Sequence, residues 1–305
     1  MSLLDWASKK VQDYSGETDR RENVQKLKTI QNEIITVVKT TIQRLNTIVE
    51  QFNASVARLN IVRKNKTYPQ IKQLQTNLNL FGNLKPIDDY VDEDIRIEDF
   101  SIPQRKLTDM QEYVNQMDWD KKQIFNESFK NGVIGTKKKT QHLNLELNAQ
   151  IDQLNLYKAQ IEAEFELKEN KTKLEISVAE SYIRIITMIT NEISSRILPE
   201  LSIINSFMIA KHIADYSEDL NEAAENEVLF SAELLKNTQY EKYYQFIKNS
   251  FAFYIMAVKI STTKVLTNLL NDTVTENDAQ ELADADVALS RQRNILSEYQ
   301  VGVAQ

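Results

Sequence analysis

DRRENVQKLKTIQNEIITVVKTTIQRLNTIVEQFNASVARLNIVR, residues 19–63, contains neither glycine nor proline. Its apolar side chains fall at Leu27, Ile30, Ile34, Val38, Ile42, Leu45, Val49, Phe52, Val56 and Leu59. From Leu27 to Leu59 that is 32 residues in nine steps, a mean spacing of 3.56. The period is that of an α-helix showing one continuous stripe to partner helices. Asp19 and Glu22 stand three apart, as in a capping box, and place the helix start near residue 19. At 1.5 Å per residue the stretch makes a rod of about 65 Å. A compact globule of this chain length is only about 50 Å across. The stretch therefore predicts an all-α fold, an elongated bundle of long antiparallel helices with coiled-coil-like contacts.

The rest of the chain fits that frame. Pro69 and Phe81-Gly82 bracket a shorter segment carrying Ile71, Leu74 and Leu78. Residues 85–103 form an acidic irregular insert with seven acids and two bases. Ser101, Pro103 and Gln104 open a helix read to residue 130. Residues 131–136, with Gly132 and Gly135, supply the best turn, and the main helical hairpin is expected there. From Lys137 to Leu198 no breaker occurs. The stripe there runs through Leu143, Leu147, Ile151, Leu154, Ile161 and Phe165, weakens over 166–173, and resumes at Ile176. Pro199 is expected to kink or restart the helix. Residues 200–214 are apolar on most sides, as in a buried helix. An acidic helix is predicted over 218–236, and a helix capped by Thr238 and Glu241 runs to Leu270. A last helix, capped by Thr273 and Glu276, ends near Tyr299. Residues 1–18 form an amphipathic lead, and residues 1–305 are read as one helical domain.

Composition narrows the function. The 305 residues include five glycines, four prolines, two histidines and no cysteine. Disulfides and thiolate chemistry are excluded outright, and β-rich or Gly-loop folds are disfavoured. Net charge is −7 but segregated: residues 212–235 hold seven acids and no Lys or Arg, whereas residues 121–139 hold six lysines against Glu127. A DNA-binding protein would need a dominant basic surface, so nucleic acid is not an expected partner. No basic leader, signal-length apolar run or spanning helix is read; the longest apolar run is the eight residues 251–258. This predicts a cytoplasmic chain.

Catalytic motifs are missing. Neither a P-loop nor a dinucleotide fingerprint fits the glycines, and neither histidine follows a glutamate by three residues, as a helical di-iron site requires. His142 and Glu146, one turn apart, read as a surface contact. The dense aromatics Tyr240, Tyr243, Tyr244, Phe246, Phe251, Phe253 and Tyr254 read as bundle core against the segment after Pro199. Two features are candidates for contact. Phe125, Phe129, Val133 and Ile134, collared by Lys137, Lys138 and Lys139, would suit an acidic partner or an anionic membrane. Asp88, Asp89, Asp92, Glu93 and Asp94 form a candidate acidic interaction loop.

The expectation is a non-enzymatic helical interaction protein (a scaffold, adaptor or assembly subunit) that needs no cofactor or metal. Its partner is itself or another helical chain. The alternative is a membrane-active protein, similar in broad architecture to helical pore-forming toxins of the long-bundle type, with residues 125–136 and 200–214 as its inserting segments.

Overall fold

The structure is a computed structural model and describes residues 17–82, 137–215 and 230–301. Within these, every regular element is a helix. Helix α1 is Glu17–Val62, a π-helical turn follows at Arg63–Thr67, and α2 is Tyr68–Leu78. Helix α3 is Lys137–Glu192, with a second π turn at Ile193–Ile197, and α4 is Leu198–Asp215. A 3-10 turn, Ala232–Leu235, precedes α5 (Glu241–Ser261), α6 (Lys264–Leu270) and α7 (Glu276–Glu298). The lead before residue 17, the acidic insert, the helix expected over 104–130, the 131–136 turn and residues 218–229 of the expected acidic helix lie outside the described residues.

The chain forms two compact units. Unit 1 is Met1–Glu50 with Arg105–Thr172, and unit 2 is Gln51–Gln104 with Lys173–Gln305. In unit 1 the predicted stripe of α1 is buried: Leu27, Ile34, Val38, Ile42 and Leu45 pack with Leu147, Leu154 and Phe165 of α3. Burying each such side chain contributes roughly 1.5–3 kcal/mol, and this seam holds the two long helices together. Lys158 Nζ reaches Glu33 across it at 2.7 Å, and Arg44 Nε reaches Glu169 at 2.6 Å. Near the end of this stretch the stripe shifts by one residue from its expected path. Ile48 is buried and Val49 half-buried, because the stripe turns with the partner rather than along an ideal helix.

Unit 2 has the larger core. Phe52, Val56 and Leu59 of α1 and Ile71, Leu74 and Leu78 of α2 pack with Tyr182, Ile186, Ile189 and Ile193. Helix α5 packs against α2 and α7. The aromatic cluster divides: Phe246, Phe253 and Tyr254 are buried, while Tyr240, Tyr243, Tyr244 and Phe251 are half-buried against the core. Phe207, on the segment after Pro199, lies 4.5 Å from the Tyr240 ring and 5.0 Å from the Tyr243 ring, as the sequence suggested.

Pro69 opens the short α2 as expected, and at Pro199 the helix carries on without a restart. Pro69 and Pro199 each follow a five-residue π turn by two positions. A proline in a helix donates no hydrogen bond and its ring crowds the carbonyl four residues back. The π turn admits one extra residue: Tyr68 N–H bonds Arg63 O, and Leu198 N–H bonds Ile193 O, each five residues back. The backbone stays right-handed helical at both junctions, so Pro199 does not restart the helix.

Other boundaries move for local reasons. Helix α1 already includes residue 17, so Asp19 sits inside its first turn. Residues 230 and 231 are non-helical; Phe230 N–H bonds Leu80 O at 2.9 Å, which ties that strand of chain to the end of α2. The helix after Thr238 stops at Ser261, and Thr263 caps a separate α6. The last helix is capped by Thr275 and Asp278, not by Thr273 and Glu276. Helix α4 buries Leu201, Ile204 and Met208 but leaves Ile203 and Ile209 nearly half exposed, so it is amphipathic rather than fully buried. With so few glycines, left-handed backbone falls to Asn237 and Asp272, both at φ 59°, residue types that tolerate it.

Candidate functional site

The sequence-predicted contact residues are not in the described part. Phe125, Phe129, Val133 and Ile134 lie outside it, as do Asp88, Asp89, Asp92, Glu93 and Asp94. Lys137, Lys138 and Lys139 open α3, with side chains outside the described residues. Of the two proposed inserting segments, only 200–214 is described in part. Among the described residues no helix is long and apolar enough to cross a membrane.

Among the polar groups buried in unit 2 are Arg63, Glu175, Glu192 and Glu200. At the first π turn, Arg63 is buried and its Nη2 donates to Ser261 O at 3.3 Å. Beside it the Tyr182 hydroxyl donates to Ile260 O at 3.0 Å. Both therefore address the last carbonyls of α5, the negative end of the helix dipole; Ile260 O also accepts the Thr263 N–H at 3.3 Å. Burial pushes the Tyr182 phenol up to about 12, against a partial pull downward from the Arg63 charge. Burial also lowers the Arg63 guanidinium, which Tyr182 offsets in part. At the same turn Thr190 Oγ1 donates to Thr67 Oγ1 at 2.9 Å. Glu192, with a side chain 3% exposed, pairs with Arg293 Nε at 2.8 Å and Arg196 Nη1 at 3.0 Å. The Glu192 carboxylate is thus neutralised by two arginines. Among the described residues no three His, Cys, Asp or Glu side chains come together as a metal site. An open groove in unit 1, lined by Glu22, Lys26, Ile30, Ile151 and Asn155, converges on no acid–base pair.

The outer face of α3 in unit 1 is different. Leu145, Leu156 and Leu167 are exposed at 72%, 57% and 73%. They recur every 11 residues, which is three helical turns with about 20° of drift per step. Ala149, Ala159 and Ala163, all exposed, and Asp152 fall on the same line. At 100° per residue these seven positions span an arc of about 80°. The inner stripe of Leu147, Ile151, Leu154, Ile161 and Phe165 lies on the opposite side. Helix α3 is thus apolar on two faces within unit 1, one packed on α1 and one bare among the described residues. Within unit 2 the outer line continues through Leu174, Ile185, Met188 and Glu192, all buried or partly buried. There α7 lies over it: Arg184 pairs with Asp286 at 2.8 Å and Glu192 with Arg293.

Sequence reasoning missed this face because the inner stripe has more and larger side chains. The 11-residue recurrence of leucine, with alanine between, was the available signal. Comparison with known proteins finds no family model, no curated relative and no solved structure that matches this chain.

Proposed function

We propose that this chain is a non-enzymatic helical interaction protein, a scaffold, adaptor or assembly subunit that works by helix–helix contact. The single observation behind this is the bare Leu/Ala face of α3. Isolated exposed leucines are ordinary on protein surfaces, but a straight row of them rimmed by polar residues marks a contact site. The row lies about 33 Å end to end on one rigid helix. Its alternation of large and small side chains suits knobs-into-holes packing against another helix.

The test places a photoactivatable residue at position 156 of the full chain in its native cells. A contact protein gives adducts of defined mass from positions 145, 156 and 167, and none from the exposed polar Gln43 of α1. Replacing the other two leucines with glutamine abolishes the adduct from 156, while helix content stays unchanged. Absence of adducts from all three positions refutes the proposal.

A further inference from the structure

Resting on that reading, we infer that the occupant of the outer α3 face is a second copy of this chain, paired antiparallel about a two-fold axis at Leu156. The leucines and two of the three alanines of the face are placed symmetrically about that residue. Leu145 and Leu167 stand 11 residues to either side, and Ala149 and Ala163 stand seven to either side. Antiparallel pairing therefore sets Leu145 against the second copy's Leu167, and Ala149 against its Ala163. An interface between two copies must be complementary to itself under a two-fold rotation, and this register meets that condition by setting leucine on leucine and alanine on alanine.

Charge selects the direction. Asp152 lies within the row. Parallel in-register pairing would bring the two Asp152 carboxylates together inside the seam. Antiparallel pairing puts each beside the second copy's Ala159 and Gln160, whose amide can donate to it. The flanking side chains Asn148, Gln153, Asn155 and Gln160 are uncharged amides. Like charges meet only at the seam's ends, Glu146 against the second copy's Glu166, where solvent makes the cost small. Alanines at 149, 159 and 163 let the helices approach closely. A seam of one helix per copy is small for a protein interface, so the dimer is weak and forms at micromolar concentrations.

The full chain has no cysteine, so single thiols report the geometry without background. Disulfides require Cα atoms within roughly 7 Å. L156C alone is expected to form a covalent dimer in glutathione buffer. L145C and L167C, each alone, should cross-link slower by about tenfold or more, and their mixture should recover the fast rate. Equal self-cross-linking by all three single variants means parallel pairing and overturns the inference. No covalent dimer, with a monomer by sedimentation at high micromolar concentration, also overturns it. In that case the L156C thiol separates the two proposals. Rapid maleimide labelling leaves the face open to a different helix and preserves the contact proposal. A protected thiol in a monomer means the chain covers its own face, and both proposals fall.

Discussion

Replacing Arg293 with methionine tests the buried ion cluster of unit 2. Glu192 sits at 3% side-chain exposure and takes its shortest contact, 2.8 Å, from Arg293 Nε. Methionine keeps much of the aliphatic packing and removes the charge. Breaking a buried pair costs roughly 3–5 kcal/mol, because the remaining ion stays desolvated. Two facts push this case to the low end. Arg293 is itself 38% exposed, and Arg196 still stands 3.0 Å from the other carboxylate oxygen. The expected loss is therefore about 3 kcal/mol. For a unit of this size that is about 6–12 °C in Tm, at roughly 2–4 °C per kcal/mol. Adding Glu192→Gln removes the stranded charge, and the double variant should recover to within about 1 kcal/mol of wild type. Urea unfolding followed by far-UV circular dichroism measures all three proteins. An R293M stability within about 0.5 kcal/mol of wild type, the range of an ordinary surface substitution, refutes the reasoning. So does a double variant no better than the single one.

Two further outcomes follow from the same packing. The Tyr182 phenol is raised to about 12 in the folded chain, against about 10 when unfolded. Its contribution to stability is thus complete below about pH 10 and is lost as pH rises from there toward 12. Tyr182→Phe should flatten the fall of the urea midpoint across that interval, and parallel curves for the two proteins would contradict the assignment. At the start of α7, Thr275→Ala should cost about 1 kcal/mol by removing an N-cap. Thr273→Ala should cost under about half of that, and a reversed order in thermal melts would show that the cap is misassigned.

Much of the all-α framework is legible in the sequence because the stripe from Leu27 to Leu59 is long and unbroken, and burial follows it closely. What escapes is decided by contacts between distant residues. Thr273/Glu276 and Thr275/Asp278 have the same spacing. The second pair wins because Asn268 Nδ2 donates to Asp278 Oδ1 at 2.6 Å, from a helix ten residues upstream. Pro69 and Pro199 announce trouble for a helix, but nothing in their residue types shows that a π turn two positions earlier accommodates each of them. Helix α4 looks buried by composition, yet only one side of it meets the core, with Leu201, Ile204 and Met208 buried and Leu198 and Phe207 packed at the margin. The contact surface was hidden for another reason. Alanine counts little in a hydrophobic pattern, and a leucine every 11 residues is sparse beside the inner stripe of the same helix.

Accessibility on opposite sides of a single turn of α3 tests the two-faced helix most directly. Leu154 is 2% exposed and Leu156 is 57% exposed. In a chain without cysteine, L154C and L156C can be labelled with maleimide at high dilution, where copies are separate. The two-faced helix predicts that the L156C thiol reacts at close to the rate of a free peptide, with L154C slower by on the order of 100-fold. Equal protection of both thiols at dilution would show that the outer face is already covered within one chain, and the contact surface would be lost.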